Sequence, residues 1–247
     1  MPGEIPHMLV SVMDSDRAGD SSRKSDRHAT LLNNCALILP DTVEVKIISS
    51  ESALDWSVFR HSVAPYYPAF DPTRKRILLR VSEEGKGGAP LKMAAALAGY
   101  ALRLATYIPV DVICWPFAQL LSDVEQLRTA MERFAEGQDV PVLQFVRMTI
   151  GRNGTLTTTG LSHFCGQEIR LRAIGDVAPA GLVRRACRIA ADAMVNGPYE
   201  GSSAVAGLAV GERIKIRPES MGLWGRKPQW LSVECDVRSA ILSGMDT

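Results

Sequence analysis

The chain has 247 residues, 46% of them hydrophobic and 22% charged, with 28 lysines and arginines against 27 aspartates and glutamates. A sequence this apolar can bury a core, which excludes wholesale disorder. A formal net charge of +1 gives no large field of one sign, which argues against a nucleic acid as the main ligand and against a polybasic membrane binder.

Taken in chain order, Met1–Val10 contains Glu4 and no continuous apolar run, so it does not read as a secretory signal. A cytoplasmic location is the expectation. The apolar run Met8–Met13 reads as a strand. Residues 14–27 (DSDRAGDSSRKSDR) are almost without apolar side chains and are expected to form a mobile polar loop within a single domain spanning 1–247. Val43, Val45 and Ile47 alternate with Glu44 and Lys46, the period of a half-buried strand. Residues 53–64 are weakly helical and stop at Pro65-Tyr66-Tyr67-Pro68. Arg76–Val81 is a further strand.

The longest apolar stretch, Met93–Ala105, is broken by Tyr100 and Arg103. It is well short of the roughly 20 residues needed to cross a bilayer, so no membrane span is expected. Leu91–Thr106 instead aligns Leu91, Ala94, Ala98, Ala101, Leu102 and Ala105 as one stripe of a helix. Val110–Trp115 follows as a strand. Ser122 with Glu125 three residues later is a capping box for a helix over 123–136. Val142–Ile150 and Thr155–Thr159 are strand candidates joined by the turn Gly151-Arg152-Asn153-Gly154. Strands over 168–173, 212–216 and 230–235 surround a helix over 180–195 that ends at Asn196-Gly197-Pro198. Helices set sparsely among hairpins predict an α+β fold: a mixed, largely antiparallel sheet with about three main helices packed on it. The passage 110–115, 123–136, 142–150 leaves room for one parallel pair.

Within Asp111–Arg172, Trp115 ends a strand. Pro141-Val142 follows the capped helix, and Gly154, Thr158-Thr159-Gly160-Leu161, Phe164 and Gln167-Glu168-Ile169 follow in turn. This pattern resembles a bacterial family, domain-of-unknown-function family forty-two sixty-one, over roughly residues 76–218, with Gly211–Pro218 matching a short strand near its C-terminal end. The chain departs from it at Cys165-Gly166-Gln167, where Gly-x-Pro is usual. The resemblance implies a bacterial protein and a module boundary, with no established activity and no catalytic residue.

Five cysteines, at 35, 114, 165, 187 and 235, are odd in number and form no Cys-x-x-Cys pair, so free thiols in a reducing compartment are expected. Thr159, His163 and Cys165 form the most chemically suggestive cluster: a base and a thiol, or two metal ligands. Two ligands do not close a zinc site, no third group is legible, and a packed turn is the plainer reading. No metal site is expected. Gly85-Lys86-Gly87-Gly88-Ala89-Pro90 precedes a helix and can cradle an anion through backbone amides, with Lys86 beside it. It matches neither nucleotide fingerprint, Glu83 and Glu84 precede it, and a flexible connection is the plainer reading.

Arg184, Arg185 and Arg188 fall on the helix face opposite the apolar stripe, and Arg170 and Arg172 alternate on a nearby strand. With no aromatic platform interleaved, these read as a solvated, salt-bridged surface. Trp224 and Trp230 sit in a glycine-rich tail of the kind that meets a partner or covers a core. Basic residues gather at 74–80 and 170–188 and acidic ones at 123–139, so an acidic partner or small anion remains allowed despite the balanced total.

No catalytic constellation and no cofactor fingerprint is legible. The expectation is a non-catalytic interaction or accessory protein that meets a protein partner through Trp224, Trp230, Arg184 and Arg188. The alternative is a small-molecule-binding protein or enzyme with its site at the 157–168 turn and the 85–90 loop, using His163, Cys165, Thr159 and Lys86. Oligomeric state is not legible.

Overall fold

The structure, a computed structural model, describes residues 7–12, 43–48, 76–81, 89–174, 177–208, 212–219 and 229–236. The chain divides into two compact units, one drawn from Gly3–Gln144 and the other from Phe145–Thr247. The polar segment 14–27, Lys86 and Trp224 lie outside the described residues.

The first unit contains β1 (His7–Val12), β2 (Val43–Ile48), β3 (Arg76–Val81), α1 (Pro90–Leu104), β4 (Val110–Trp115), β5 (Leu120–Ser122) and α2 (Val124–Ala135). Its strands form one antiparallel sheet in the order β2-β3-β1-β4-β5. Pro90 stands in the first turn of α1, where its missing N–H costs no helical hydrogen bond. Ala94, Ala98 and Ala101 are buried on one stripe beside Leu97 and Leu104, and α1 packs through that stripe on β1 and β3. Met8, Val10, Ile77 and Leu79 meet it from the sheet side and are essentially inaccessible. The cap of α2 is Asp123, not Ser122: its carboxylate accepts from the amides of Glu125 (2.9 Å) and Gln126 (3.1 Å). Ser122 is held in β5 opposite Ile113 and is not in the capping position.

Residues 142–145 were expected to be extended and instead form a single helical turn, α3 (Val142–Phe145). The strand begins only at Arg147, and the parallel pair for which 110–150 leaves room does not form, since β4 and β6 belong to different sheets.

The second unit contains β6 (Arg147–Ile150), β7 (Leu156–Thr159), α4 (Ser162–Cys165), β8 (Gln167–Ile174), α5 (Pro179–Asn196), β9 (Ser203–Ala206), β10 (Arg213–Pro218) and β11 (Gln229–Asp236). Six strands run in the order β6-β7-β8-β11-β10-β9. All neighbours are antiparallel except β8 and β11, which are parallel in the register Ile169↔Leu231 and Leu171↔Val233. The fold is therefore α+β, with the strands shared between two sheets rather than gathered in one.

Alternation sets the two faces of this second sheet. Leu156, Ile169, Leu171, Leu231, Val233, Cys235, Ile214 and Ile216 are buried on the inner face. Leu182, Ala186, Ile189, Ala190 and Ala193 of α5 are buried with them, and α5 packs on β7 and β8. Arg170, Arg172, Arg213, Lys215, Arg217 and Glu234 fall on the other face, exposed. The β6–β7 hairpin turns through Gly154 at φ 74°, and the Asn153 side chain accepts from the Thr155 amide at 3.1 Å.

Candidate functional site

The segment from β7 through α4 to β8 holds three of the side chains singled out above, and its organiser is Glu168. Glu168 is buried, 4% exposed. One oxygen accepts from the Thr158 hydroxyl at 2.6 Å; the other accepts from the Gly160 amide at 2.8 Å, the Ser162 hydroxyl at 2.8 Å and the Ser162 amide at 3.1 Å. The Thr158 hydroxyl oxygen in turn accepts from the Ile169 amide at 2.7 Å. Four donors meet the carboxylate, and none is a cation, so its lone pairs are spent on holding the turn.

Around this hub His163 and Cys165, weighed above as a base and a thiol, separate. His163 and Cys165 stand on a helical turn, where residues two apart project about 200° from each other, not toward a common point. The His163 ring is set edge-on to Phe164, with centroids 5.3 Å apart. Burial pushes the Cys165 thiol up to about 11, with the Gln167 backbone drawing it down and the Glu168 charge adding to the rise. Its sulfur lies 3.7 Å from the Leu161 carbonyl and 3.8 Å from that of Gln167. Such a thiol is neutral at physiological pH and a poor nucleophile. Thr159 is half-buried on β7 opposite Arg147. Among the described residues no group of three or more His, Cys, Asp or Glu is placed to hold a metal ion.

Gln167, at the start of β8, ties three segments together. Its amide nitrogen donates to the Tyr199 carbonyl (2.9 Å) and to Gln229 Oε1 (2.7 Å), and its oxygen accepts from the Tyr199 amide at 2.9 Å. Gly166 enters the same corner in the left-handed region, φ 76°, and its carbonyl accepts from the Gln229 amide. This arrangement delivers β11 alongside β8 with Trp230 on the outer face.

There the structure corrects the reading of an arginine surface without aromatics. The Arg170 guanidinium lies 4.6 Å from the centre of the Trp230 ring. Its Nη1 donates to both oxygens of Glu219, at 3.1 and 3.3 Å. Glu219 is held by the first residues of β11: its amide donates to the Trp230 carbonyl and its carbonyl accepts from the Gln229 side chain. Arg172, Arg213, Lys215 and Arg217 continue the cationic surface over β8 and β10, with Glu234 between Lys215 and Arg172 in the register.

Arg184 and Arg188 are exposed on α5, across the sheet from Trp230, so the predicted partner residues do not form one patch. Arg188 donates to the Gly207 carbonyl at 2.9 Å. Arg185 is the second correction. It is not on the solvated face but 6% exposed, donating to both oxygens of Glu212 (2.5 and 2.8 Å) and to the Gly181 carbonyl. Glu168 and Glu212 carry the internal architecture, and sequence reasoning assigned a role to neither. A serine- and threonine-rich turn eight residues ahead was a signal for Glu168; Glu212 lies 27 residues from its partner and had none.

Comparison with protein-family models, with curated proteins and with solved structures finds no match. Among the described residues no helix is long and apolar enough to cross a membrane.

Proposed function

We propose that this chain is a non-catalytic interaction protein whose second unit meets an acidic surface of a protein partner with the outer face of its six-stranded sheet. The observation that carries this reading is the exposed row of Arg170, Arg172, Arg213, Lys215 and Arg217 on one sheet face, with Arg170 held over Trp230. Arginine in a fixed plane is suited to bidentate carboxylate contact, and a clustered basic face steers an acidic partner toward it. A protein partner fits better than single-stranded nucleic acid, because Trp230 is the one described aromatic on this face and Arg170 already covers it. The chemical alternative at residues 157–168 is disfavoured by a saturated Glu168 and a neutral Cys165.

A cytoplasmic setting belongs to the same proposal, supported by free thiols at Cys114, Cys165, Cys187 and Cys235. The kinship with the bacterial family named above belongs to it as well and rests on the residues quoted there. The test is affinity purification from a host-cell extract with the full chain beside its R172E/K215E variant. Proteins enriched by the wild type and lost with the variant are expected. A set retained equally by both, or no enrichment by either, overturns the reading.

A further inference from the structure

The outermost strand of the six, β9 (Ser203–Ala206), pairs with β10 on one side, and among the described residues no strand covers its other side. Its sequence, Ser-Ala-Val-Ala, carries neither charge nor proline, two of the usual devices that blunt an edge. The register Ala206↔Arg213, Val205↔Ile214, Ala204↔Lys215 continues into Gly207, whose amide donates to the Glu212 carbonyl at 2.8 Å. In an antiparallel pair hydrogen-bonded positions alternate. Residues 203, 205 and 207 therefore turn their amides toward β10, and Ala204 and Ala206 turn theirs outward.

We propose that β9 is a docking edge to which an extended partner segment adds as a further strand, with acidic residues at alternate positions. This rests on the interaction reading above and names its mode. The charge follows from the neighbours. Ala204 and Ala206 lie opposite Lys215 and Arg213, and all four are exposed. A strand added beyond β9 would run about 10 Å from β10, two strand spacings away. The alanine methyls leave that gap open, and the long Lys215 and Arg213 side chains span it. Acidic side chains spaced about 7 Å apart, every second residue of the added strand, would meet them. The intervening positions would fall on the side of the half-buried Val205 and are apolar. The partner segment thus alternates acidic and apolar residues.

The experiment uses the full chain and a short labelled peptide of alternating glutamate and valine, read by fluorescence anisotropy. Its lysine–valine counterpart and an oligouridylate of equal charge serve as the other arms. The acidic peptide is expected to bind at least about tenfold more tightly than either. The R213E/K215E variant is expected to reverse the order of the two peptides. Hydrogen exchange on the wild type is expected to slow at Ala204 and Ala206 when the acidic peptide is bound. A204P, which removes an outward amide at a position where an edge tolerates proline, is expected to weaken binding about tenfold with its unfolding midpoint kept. Peptide binding without slowed exchange at Ala204 and Ala206 overturns the docking edge and leaves the interaction reading intact. Tighter binding of the oligouridylate, or no preference between the peptides, overturns the inference, and indifference of the purified partners to R172E/K215E fails the interaction reading itself.

Discussion

Arg185 and Glu212 form a doubly hydrogen-bonded ion pair whose side chains are 8% and 0% exposed. One comes from α5 and the other from the residue before β10, so the pair pins the helix to the start of that strand. The same carboxylate accepts from the Leu208 amide at 2.8 Å, and Arg185 returns to the Gly181 carbonyl of its own helix. Every charged atom here is matched, which is the condition for a buried pair to be tolerated.

Removing one partner leaves the other charge stranded. E212A is expected to lower unfolding free energy by about 3–5 kcal/mol in urea denaturation. G207A tests the same corner from the backbone side, since a Cβ at Gly207 falls within the space of the Glu212 side chain, its carboxylate included. It is expected to be destabilising, and in an R185M/E212A background, where residue 212 has neither Cγ nor Cδ, G207A is expected to cost much less. Equal losses for G207A in both backgrounds would refute the packing account.

Glu168 offers a second measurement. E168Q keeps the shape and replaces one accepting oxygen by a donor, which then faces a hydroxyl or an amide already oriented to donate. A loss of about 1–3 kcal/mol is expected, the cost of leaving a buried polar group unmatched. Circular dichroism on the same samples should find the secondary structure unchanged at 25 °C.

Alkaline pH should weaken the fold in a defined window. Burial pushes Cys165 and Cys187 up from 9.0 to about 11, so the folded protein holds these protons while the unfolded chain releases them. The contribution is fully present below pH 9 and is lost as pH rises from 9 to 11. The half-buried Tyr199 phenol, partly desolvated and donating to Asp192, is raised as well and adds to the fall above pH 10. Unfolding free energy measured at intervals from pH 7 to 11 should decline in that window, and C165A/C187A should flatten the decline. A profile identical in the double variant would remove the thiols as its cause.

At the outer face, R170A takes the cover from the Trp230 ring. Acrylamide quenching of the Trp230 contribution, obtained by difference against W230F, is expected to rise. The stability loss should stay at or below about 1 kcal/mol, the range of an exposed cation–π contact. A larger loss would mean that Arg170 supports the sheet rather than its surface.

Where a pattern is local, the sequence announces the structure. The alternation of Ile169 and Leu171 with Arg170 and Arg172 marks a two-faced strand, and Asn196-Gly197-Pro198 stops α5 within one residue of the expected end. Local ambiguity explains three misses. Ser122 and Asp123 can both cap, and pairing of Ser122 with Ile113 decides between them. Val142-Leu143-Gln144-Phe145 has strand-forming residue types yet coils into one turn after Pro141, where Val142 and Phe145 become buried. Ser-Ala-Val-Ala has little strand propensity, and β9 exists because β10 offers it a ladder. The remaining misses are non-local. Nothing near Arg185 indicates a carboxylate 27 residues on, and nothing near Arg170 indicates a tryptophan that a parallel strand brings over from position 230.

The last described strand is not at the rim of its sheet. β11 lies between β8 and β10, joining a three-stranded half, β6-β7-β8, to a two-stranded half, β9-β10. During synthesis both halves emerge before the strand that unites them. For as long as it takes the ribosome to make and release residues 219–236, each half carries a bare edge with apolar Ile169, Leu171, Ile214 and Ile216 beside it. The nascent chain is thus most open to mispairing late in translation, and residues 229–236 are the interval on which a chaperone or a truncation would act most strongly.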